Sequence, residues 1–432
     1  METKLKNIIL GAGLTGLSAG YEAKDAVIYE KSDKIGGLAR TEEFDGFRFD
    51  LGGHRFLTRK LHVEKFVKDL LKSDLLEVNR KSKIFSHHKL LDYPPSTSIF
   101  FHINPFELSI MLSAYLYRKT NPIQNMRSFK DKAINIFGDE LYKYYFEKYT
   151  EKVWGIKCDE ISKDWVEARL PQISLKRVIK HIIFKKQKSK SFSDAFLYPK
   201  YGIGMLCEKL SKDLNINLSS KVTSLKHTEN KITSVIINDE LEIPCEKIVS
   251  TIPINQLIHI LKSPEKIINT ANKLRYRNVI CVFLAMNLPN LTNVHWIYFP
   301  DKEIFGRLHE PKNWSSHLSP SDKTGICLEI FCDETDKIWQ MNDLEIATSC
   351  INDLYNFSKE KAVAHKVVKV GNAYPIYDLE YKKNLGIVKD YLSNFENLKL
   401  AGRTGNFNYL NMDDCIEEGF EAAGFLHPTK FI

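Results

Sequence analysis

The sequence predicts an α/β protein in which a Rossmann-like dinucleotide-binding domain is interrupted by a helical region and an antiparallel sheet. Three observations lead to this class. A short apolar run at 6–10 is followed at once by Gly11-Ala12-Gly13-Leu14-Thr15-Gly16. Apolar residues in 60–200 recur mainly at helical spacing. Strand-like apolar runs then follow at 279–285 and 326–332.

The N-terminal elements occur in the order that dinucleotide binding requires. Strand 6–10 and the glycine turn precede a helical stretch at 17–24, a strand at 26–29 and the acid Glu30. Gly11 permits the tight turn, Gly13 lets the backbone approach a pyrophosphate, and Gly16 allows close packing of helix on sheet. The helix N-terminus attracts phosphates, and Glu30 is expected to accept hydrogen bonds from ribose hydroxyls.

Two further glycine pairs indicate which dinucleotide is bound. Gly36-Gly37 follows Glu30 and precedes Arg40, while Gly52-Gly53 precedes His54. Both segments resemble motifs of the flavoprotein group that contains amine oxidases, protoporphyrinogen oxidases and UDP-galactopyranose mutases. The resemblance implies FAD as the cofactor and an FAD-binding domain of the two-dinucleotide-binding-domain type.

The resemblance also implies which residues contact FAD. Arg40 and Arg403 are expected near its phosphates, Val222 at the adenine, and Asn411 and Met412 at the flavin ring. The expected cofactor-binding residues are Gly11, Ala12, Gly13, Thr15, Gly16, Glu30, Lys31, Gly37, Leu38, Arg40, Gly53, His54, Val222, Arg403, Asn411 and Met412.

Four candidate catalytic residues follow from similarity to the mutases within this group. Arg307, in the segment 306–314, and Tyr409, in 402–413, are expected to hold the diphosphate of a nucleotide-sugar. A guanidinium suits this role because its planar fork binds phosphate oxygens bidentately. His54 would organise the flavin face, and Trp154 would form a wall beside the sugar.

The chain departs from the mutase pattern at two positions. Gln172 stands where the mutases place a second diphosphate-binding arginine, and Phe407 replaces a tyrosine. Loss of one such arginine weakens binding by roughly 1.5–3 kcal/mol if nothing replaces it. The substrate is therefore not assigned as UDP-galactose.

Three functional hypotheses remain at this stage. The first is a mutase-like enzyme of cell-surface glycan biosynthesis, in which the N5 atom of reduced flavin attacks an activated sugar. The second is an oxidoreductase in which oxidised FAD removes hydride from a substrate and an external acceptor regenerates the flavin. The third is a binding module in which FAD is structural. A requirement for reduced flavin, and hence for an external reductant, distinguishes the first from the second.

We expect three structural units. The FAD-binding domain comprises 1–60, 198–255 and 395–432, a mainly helical substrate domain comprises 61–197, and an antiparallel-sheet substrate domain comprises 256–394. The sequence carries no signal that defines an oligomeric state.

Composition and charge exclude several classes. The chain has 432 residues, 43% of them hydrophobic and 27% charged, which is typical of globular proteins. The eight scattered cysteines predict no disulfide framework, and we expect no metal site and a cytoplasmic location. The net charge of +8 favours an anionic ligand, and the basic run 176–190 is either a solvated surface or a phosphate or peripheral membrane contact. No nucleic-acid-binding motif is recognisable.

Overall fold

The computed structural model describes residues 5–86, 88–93, 104–169 and 195–427. Its described strands, numbered β1 to β18 in chain order, are Lys6–Leu10, Val27–Tyr29, Thr41–Phe44, Phe47–Asp50, Leu75–Asn79, Ser82–Ser86, Lys89–Tyr93, Ala195–Pro199, Asn215–Asn217, Val222–Thr228, Lys231–Ile237, Leu241–Ser250, Tyr276–Met286, Trp296–Tyr298, Arg307–His309, Thr324–Cys332, Ala362–Pro375 and Leu398–Leu400. Its described α-helices, numbered α1 to α15, are Leu14–Ala23, Leu61–Leu71, Pro105–Thr120, Phe129–Phe137, Asp139–Tyr142, Lys148–Trp154, Asp164–Arg169, Gly204–Ser211, Ile254–Ile260, Glu265–Ala271, Lys337–Gln340, Asp343–Leu354, Tyr381–Leu392, Gly402–Gly405 and Met412–Leu426. The basic run 176–190 and Gln172 lie outside the described residues.

The first sheet joins parallel strands to an antiparallel meander. In the middle of this sheet, β1 pairs in parallel with β2 and β12, so that Ile9 lies opposite Ile28 on one side and Val249 on the other. On the outer sides, β9 pairs with β2 and β18 pairs with the end of β12, both in parallel. The first half of β12 pairs antiparallel with β11, which pairs with β10. The predicted Rossmann-like domain is confirmed.

Helices α1 and α15 pack closely together beside this sheet. Leu17 of α1 and Ile416 of α15 are fully buried in the same apolar cluster as Ile9. A Cβ on Gly419 would lie 2.6 Å from the Thr15 carbonyl oxygen. The C-terminal helix therefore lies against the helix that follows the glycine turn.

The second sheet has the strand order β17-β13-β16-β15-β14-β6-β7. Its neighbours are antiparallel except for β14 and β6. Every residue of β13 and β16 is buried, so the centre of this sheet is covered on both faces. The antiparallel sheet predicted from 279–285 and 326–332 is confirmed, and the segment 61–197 also contributes β6 and β7 to it.

The helical region around 104–169 packs against the second sheet through aromatic side chains, since Tyr149 contacts Tyr298 and Trp154 contacts Tyr374. Helix α4 begins with a capping box in which Ser128 and Asp131 bind each other's backbone N–H groups. No helix among the described residues is both long and apolar enough to cross a bilayer. All eight cysteines lie in described segments, where they are buried and unpaired.

Candidate functional site

The glycine turn between β1 and α1 has the predicted close contacts. Gly11 has a φ of +99°, and a Cβ on Gly16 would lie 2.0 Å from the Gly11 carbonyl oxygen. A Cβ on Gly13 would instead meet no described atom within 4 Å. Gly13 thus leaves open space at the start of α1, where the first N–H groups of a helix lack intrahelical partners.

Glu30, directly after β2, binds the backbone of the glycine turn. Its Oε2 accepts the Ala12 N–H at 2.8 Å, and its Oε1 accepts the Ser32 N–H at 2.9 Å. The backbone oxygen of Glu30 accepts the Ser220 N–H at 2.8 Å. This bond brings the start of β10, and with it Val222, towards Glu30, while Lys31 is exposed. Glu30, Val222 and the turn therefore form one edge of the candidate site.

The second glycine pair packs directly on the first turn. The Gly36 N–H donates to the Ala12 carbonyl oxygen at 2.8 Å. Gly37 has a φ of +54°, and a Cβ on it would lie 3.3 Å from the Gly13 Cα. Leu38 packs against an apolar cluster of the second sheet. The predicted dinucleotide segments are thus in contact, backbone to backbone.

Arg40 belongs to a cluster of cations around one carboxylate. Its Nε lies 2.9 Å from Glu42 Oε1, while Lys34 and Lys366 place their Nζ atoms 2.7 Å and 2.8 Å from Glu42 Oε2. Burial alone would raise the pKa of Glu42, but the hydrogen bonds from both lysines and the charge of Arg40 lower it. Three cations surround one anion, so this cluster has a net positive charge. The cluster lies beside Gly36, because a Cβ on Gly36 would be 3.0 Å from the Arg40 Cβ.

The third glycine pair is anchored to the second sheet by Glu329. The Gly53 N–H donates to Glu329 Oε1 at 3.0 Å, and a Cβ on Gly53 would lie 2.2 Å from Trp296 Nε1. Both carboxylate oxygens of the fully buried Glu329 accept hydrogen bonds from Arg307, whose Nε lies 2.7 Å from Oε1. Burial would raise the pKa of Glu329, but the charge and hydrogen bonds of Arg307 and a hydrogen bond from His309 hold it well below its usual range. Arg307 is therefore fixed beside the Gly53 turn.

His54, in the turn beside Arg307, has a ring nitrogen without a hydrogen-bond partner in the described part of the chain. Its Nδ1 is buried and has no hydrogen-bond partner among the described residues. Burial and the positive charge of Arg403 lower the pKa of His54 to about 4, although Glu329 acts in the opposite direction. The imidazole is therefore neutral at physiological pH. A buried nitrogen without a partner indicates a position where a ligand supplies the missing hydrogen bond.

Arg403 and two tyrosines form a stack near His54. The rings of Tyr374 and Tyr409 are nearly parallel, with centroids 5.9 Å apart. The Arg403 Cζ lies 4.8 Å from the Tyr409 ring centroid and 5.7 Å from that of Tyr374. The Arg403 Nε also donates to the Leu410 carbonyl oxygen at 3.0 Å. The stack brings Arg403 and Tyr409 together.

Trp154 lies behind this stack. Its side chain is buried and packs edge-on against Trp165, with centroids 4.4 Å apart, and against Tyr374 at 6.2 Å. Trp165 in turn contacts Tyr409 at 5.0 Å. Trp154 thus reaches the candidate site through Tyr374 and Trp165.

Asn411 and Met412 lie at the start of α15. The Asn411 N–H donates to Asp414 Oδ2 at 3.0 Å, which is part of a capping box. Asn411 is exposed, whereas Met412 is buried. Helix α15 therefore begins at Met412 with its N-terminal N–H groups on the side of the Arg403 segment.

Asp50 links several segments and was not singled out from the sequence. It is buried and accepts hydrogen bonds from Thr41 Oγ1 at 2.7 Å, from the Tyr198 hydroxyl at 2.7 Å and from the Ile203 N–H at 3.0 Å. Burial raises the pKa of Asp50 to about 6, although these hydrogen bonds oppose the shift. Asp50 therefore joins the glycine-rich N-terminal region to the chain that returns after residue 195.

Glu329 was also missed, although a signal was available. It is the single charged residue in the otherwise apolar run 326–332. A carboxylate in a fully buried strand requires a cation or hydrogen-bond donors. That requirement would have pointed to a partner such as Arg307 before the structure was known.

The fold and the three glycine turns define a dinucleotide-binding flavoprotein. The family profile of flavin containing amine oxidoreductases matches residues 12–425, so the chain belongs to this family. FAD is therefore its cofactor. The site accommodates this group on structural grounds: open space beside Gly13, surplus positive charge at Arg40 and an unsatisfied His54 nitrogen.

Individual relatives show different activities within this fold. The chain is 22% identical, over 96% of its length, to coproporphyrinogen III oxidase from Staphylococcus aureus (strain NCTC 8325 / PS 47), 97% of which is covered. The fold matches the structure of reduced UDP-galactopyranose mutase with a TM-score of 0.87 at 19% identity, covering 99% of this chain and 97% of that one. It also matches putrescine oxidase bound to putrescine, with a TM-score of 0.66, 15% identity and 98% of both chains covered.

Proposed function

We propose that this flavoenzyme acts on a nucleotide-activated sugar in cell-surface glycan biosynthesis, through reduced-flavin chemistry like that of UDP-galactopyranose mutase. The observation that carries the proposal is the position of Arg307, which Glu329 holds beside the Gly53-His54 turn. The Arg403–Tyr409 stack lies close enough to His54 for the charge of Arg403, like that of Arg307, to lower the pKa of that imidazole. The extensive structural similarity to the mutase supports the proposal at the level of the fold.

The proposal assigns FAD contacts to the residues expected from the sequence. The turn from Gly11 to Gly16 and the Gly37-Leu38 segment with Arg40 would bind the pyrophosphate, and Glu30 with Lys31 the adenosine ribose. Val222 would contact the adenine. Gly53 and His54 would approach the flavin ring from one side, and Asn411 and Met412 from the α15 side. Arg403 would lie near the phosphates.

Each remaining candidate residue has a role that its surroundings support. When bound and reduced, FAD supplies a nucleophilic nitrogen, N5. Arg307 and Tyr409 would hold the diphosphate leaving group of the substrate, and the neutral His54 would donate or accept a hydrogen bond through Nδ1. Trp154 would fix the position of Tyr374 by packing behind it. The reaction would regenerate the flavin unchanged, so the external reductant is needed only to prepare the enzyme.

A second candidate function is oxidation of a substrate by oxidised FAD. Two observations favour it: a relative named coproporphyrinogen III oxidase aligns along nearly the whole chain, and Glu329 already engages the guanidinium of Arg307. In this case an external electron acceptor would regenerate the flavin.

Anaerobic turnover distinguishes the two functions. The holoenzyme, either oxidised or reduced with dithionite, is mixed with a panel of nucleotide-sugars, and products are identified by NMR. We expect isomeric sugar signals only in the reduced sample. If coproporphyrinogen III or another reductant bleaches the oxidised flavin while no nucleotide-sugar reacts in either redox state, the mutase-like proposal is wrong.

A further inference from the structure

The guanidinium of Arg307 is already engaged by a carboxylate. Glu329 accepts two hydrogen bonds from it and is itself fully buried, so the pair carries no net charge. A diphosphate carries at least two negative charges, and a neutral ion pair compensates none of them. Additional cations are therefore needed if the site is to bind such a group.

Arg55 and Arg80 both lie beside the neighbouring strands β14 and β6, close to the strand β15 that carries Arg307. The Arg55 Cζ lies 5.9 Å from the ring centroid of Trp296 in β14. Trp296 is paired with Ser82 of β6, and Arg80 donates through Nε to Ser82 Oγ at 3.0 Å. Each arginine thus contacts one of two paired strands.

Two tyrosine side chains, Tyr93 and Tyr298, lie between Arg80 and Arg307. The Arg80 Cζ lies 5.6 Å from the ring centroid of Tyr93, and that ring packs edge-on against Tyr298 at 5.0 Å. Tyr298 lies opposite Arg307 in the register of β14 and β15. The three arginines therefore border one short stretch of β14.

Arg55 and Arg80 have no acidic partner among the described residues, in contrast to Arg307. No ion pair within 4.0 Å joins either guanidinium to a described carboxylate. Burial and the like charge of Arg80 lower the pKa of Arg55 to about 10, so the Arg55 side chain remains protonated at neutral pH. Two partly buried positive charges repel each other, which costs electrostatic free energy. An anion bound between them would offset this repulsion.

We propose that Arg55 and Arg80 supply the additional positive charge that binds the diphosphate of the substrate beside Arg307 and Tyr409, and that they take the place of the second arginine that the mutases have where this chain has Gln172. This inference deepens the proposed function and rests on it. Arg55 directly follows His54, so the site adjoins the proposed flavin face. Planar guanidinium groups on rigid aromatic surfaces are well oriented for bidentate contacts with phosphate oxygens.

Binding of UDP and of inorganic pyrophosphate to the FAD-loaded protein tests the inference. Isothermal titration is carried out on the wild type and on R55Q, R80Q and R48Q. Arg48 is the matched control because it is partly exposed and paired with Glu43. We expect each of R55Q and R80Q to weaken UDP binding about 10- to 100-fold, as loss of a charged hydrogen bond requires, while R48Q changes it by less than about twofold.

Charge-preserving variants separate binding from folding. R55K and R80K retain the positive charge but not the planar fork, so they should bind UDP with affinities between those of the wild type and the glutamine variants. Flavin absorbance and unfolding temperature verify that each variant retains FAD and its fold.

The titrations decide between the inference and the proposed function on which it rests. UDP binding that is weakened in R55Q and R80Q supports the inference. UDP binding that is unchanged in both variants overturns it and leaves the proposed function standing. A wild-type protein that binds neither UDP nor pyrophosphate overturns both, and a parallel titration with coproporphyrin III then shows whether carboxylates occupy the arginines instead.

Discussion

Arg307 and Glu329 face each other across two antiparallel strands and form a bidentate ion pair inside the second sheet. The same carboxylate accepts the Gly53 N–H, so one buried acid connects the sheet to the turn beside the proposed flavin face. The pair therefore has a positioning role as well as a structural one. Its strength depends on both partners, because removing either leaves the other buried without compensation.

Replacing Glu329 with glutamine should strongly destabilise the second sheet. E329Q leaves the Arg307 guanidinium buried without its counter-charge, which costs about 3–5 kcal/mol. Urea denaturation followed by tryptophan fluorescence measures the loss. The control E43Q removes an exposed acid that pairs with Arg48, and it should change the free energy of unfolding by less than about 0.5 kcal/mol. Equal denaturation midpoints for E329Q and the wild type would contradict this prediction.

Replacing Gly13 with alanine should impair FAD binding without affecting the fold. The added methyl group meets no described atom within 4 Å, and the backbone of Gly13 is extended. The methyl group would occupy the space assigned to the pyrophosphate, so we expect FAD affinity to fall by about tenfold or more, or 1.4 kcal/mol. Fluorescence titration of the apoprotein with FAD measures the affinity. G386A, where an added Cβ also meets no described atom, should bind FAD like the wild type.

Asp50 should make stability depend on pH between about 4 and 6. Burial raises its pKa from 3.8 to about 6 in the folded protein. The folded state thus binds the proton more tightly, and this stabilising contribution is complete below pH 3.8 and lost as pH rises through about 6. A shift of this size corresponds to about 3 kcal/mol.

The variant D50N tests that dependence, because its amide stays neutral at every pH. The stability of D50N relative to the wild type should increase as pH is raised from 4.5 to 7.5, measured as the difference in unfolding temperature. The control variant D45N changes an exposed residue, and its unfolding temperature should differ from that of the wild type by the same amount at every pH. A constant difference for D50N as well would show that Asp50 titrates normally.

His54 should remain neutral throughout the physiological range. Burial and the charge of Arg403 lower its pKa to about 4. Its neutral form therefore stabilises the fold above pH 6.5, and the contribution is lost as pH falls from there through about 4. NMR of histidine-labelled protein, with the His54 signal identified by its absence in H54Q, measures the titration. A chemical-shift change centred between pH 6 and 7 would refute the prediction.

Local patterns in the sequence were sufficient to predict the dinucleotide-binding part of the fold. The contacts of Gly11, Gly16 and Glu30 are made within one strand–turn–helix–strand unit. The residue types that such a unit requires occur close together in the sequence, so they can be recognised without knowledge of long-range contacts. The apolar runs at 279–285 and 326–332 likewise predicted strands that are buried along their whole length.

Long-range pairing accounts for what the sequence did not show. The apolar residues of 61–76 recur at helical spacing, but α2 ends at Leu71. Residues 75–79 instead pair as β5 with β8, which lies more than a hundred residues away in the sequence. The group of Arg55, Arg80 and Tyr298 is likewise assembled from separate segments. No spacing rule connects such residues, because only the sheet register brings them together.

The hydrogen bond between Asp50 and Tyr198 has a consequence for how this chain could have diversified. These residues are 148 positions apart in the sequence, yet the Tyr198 hydroxyl and an Asp50 carboxylate oxygen lie 2.7 Å apart. An insertion whose two ends already meet can be lengthened at little entropic cost, since loop closure grows only logarithmically with length. Evolution could therefore exchange the part of this segment that follows the Gly53-His54 turn, and with it the substrate, while the glycine turns stayed the same.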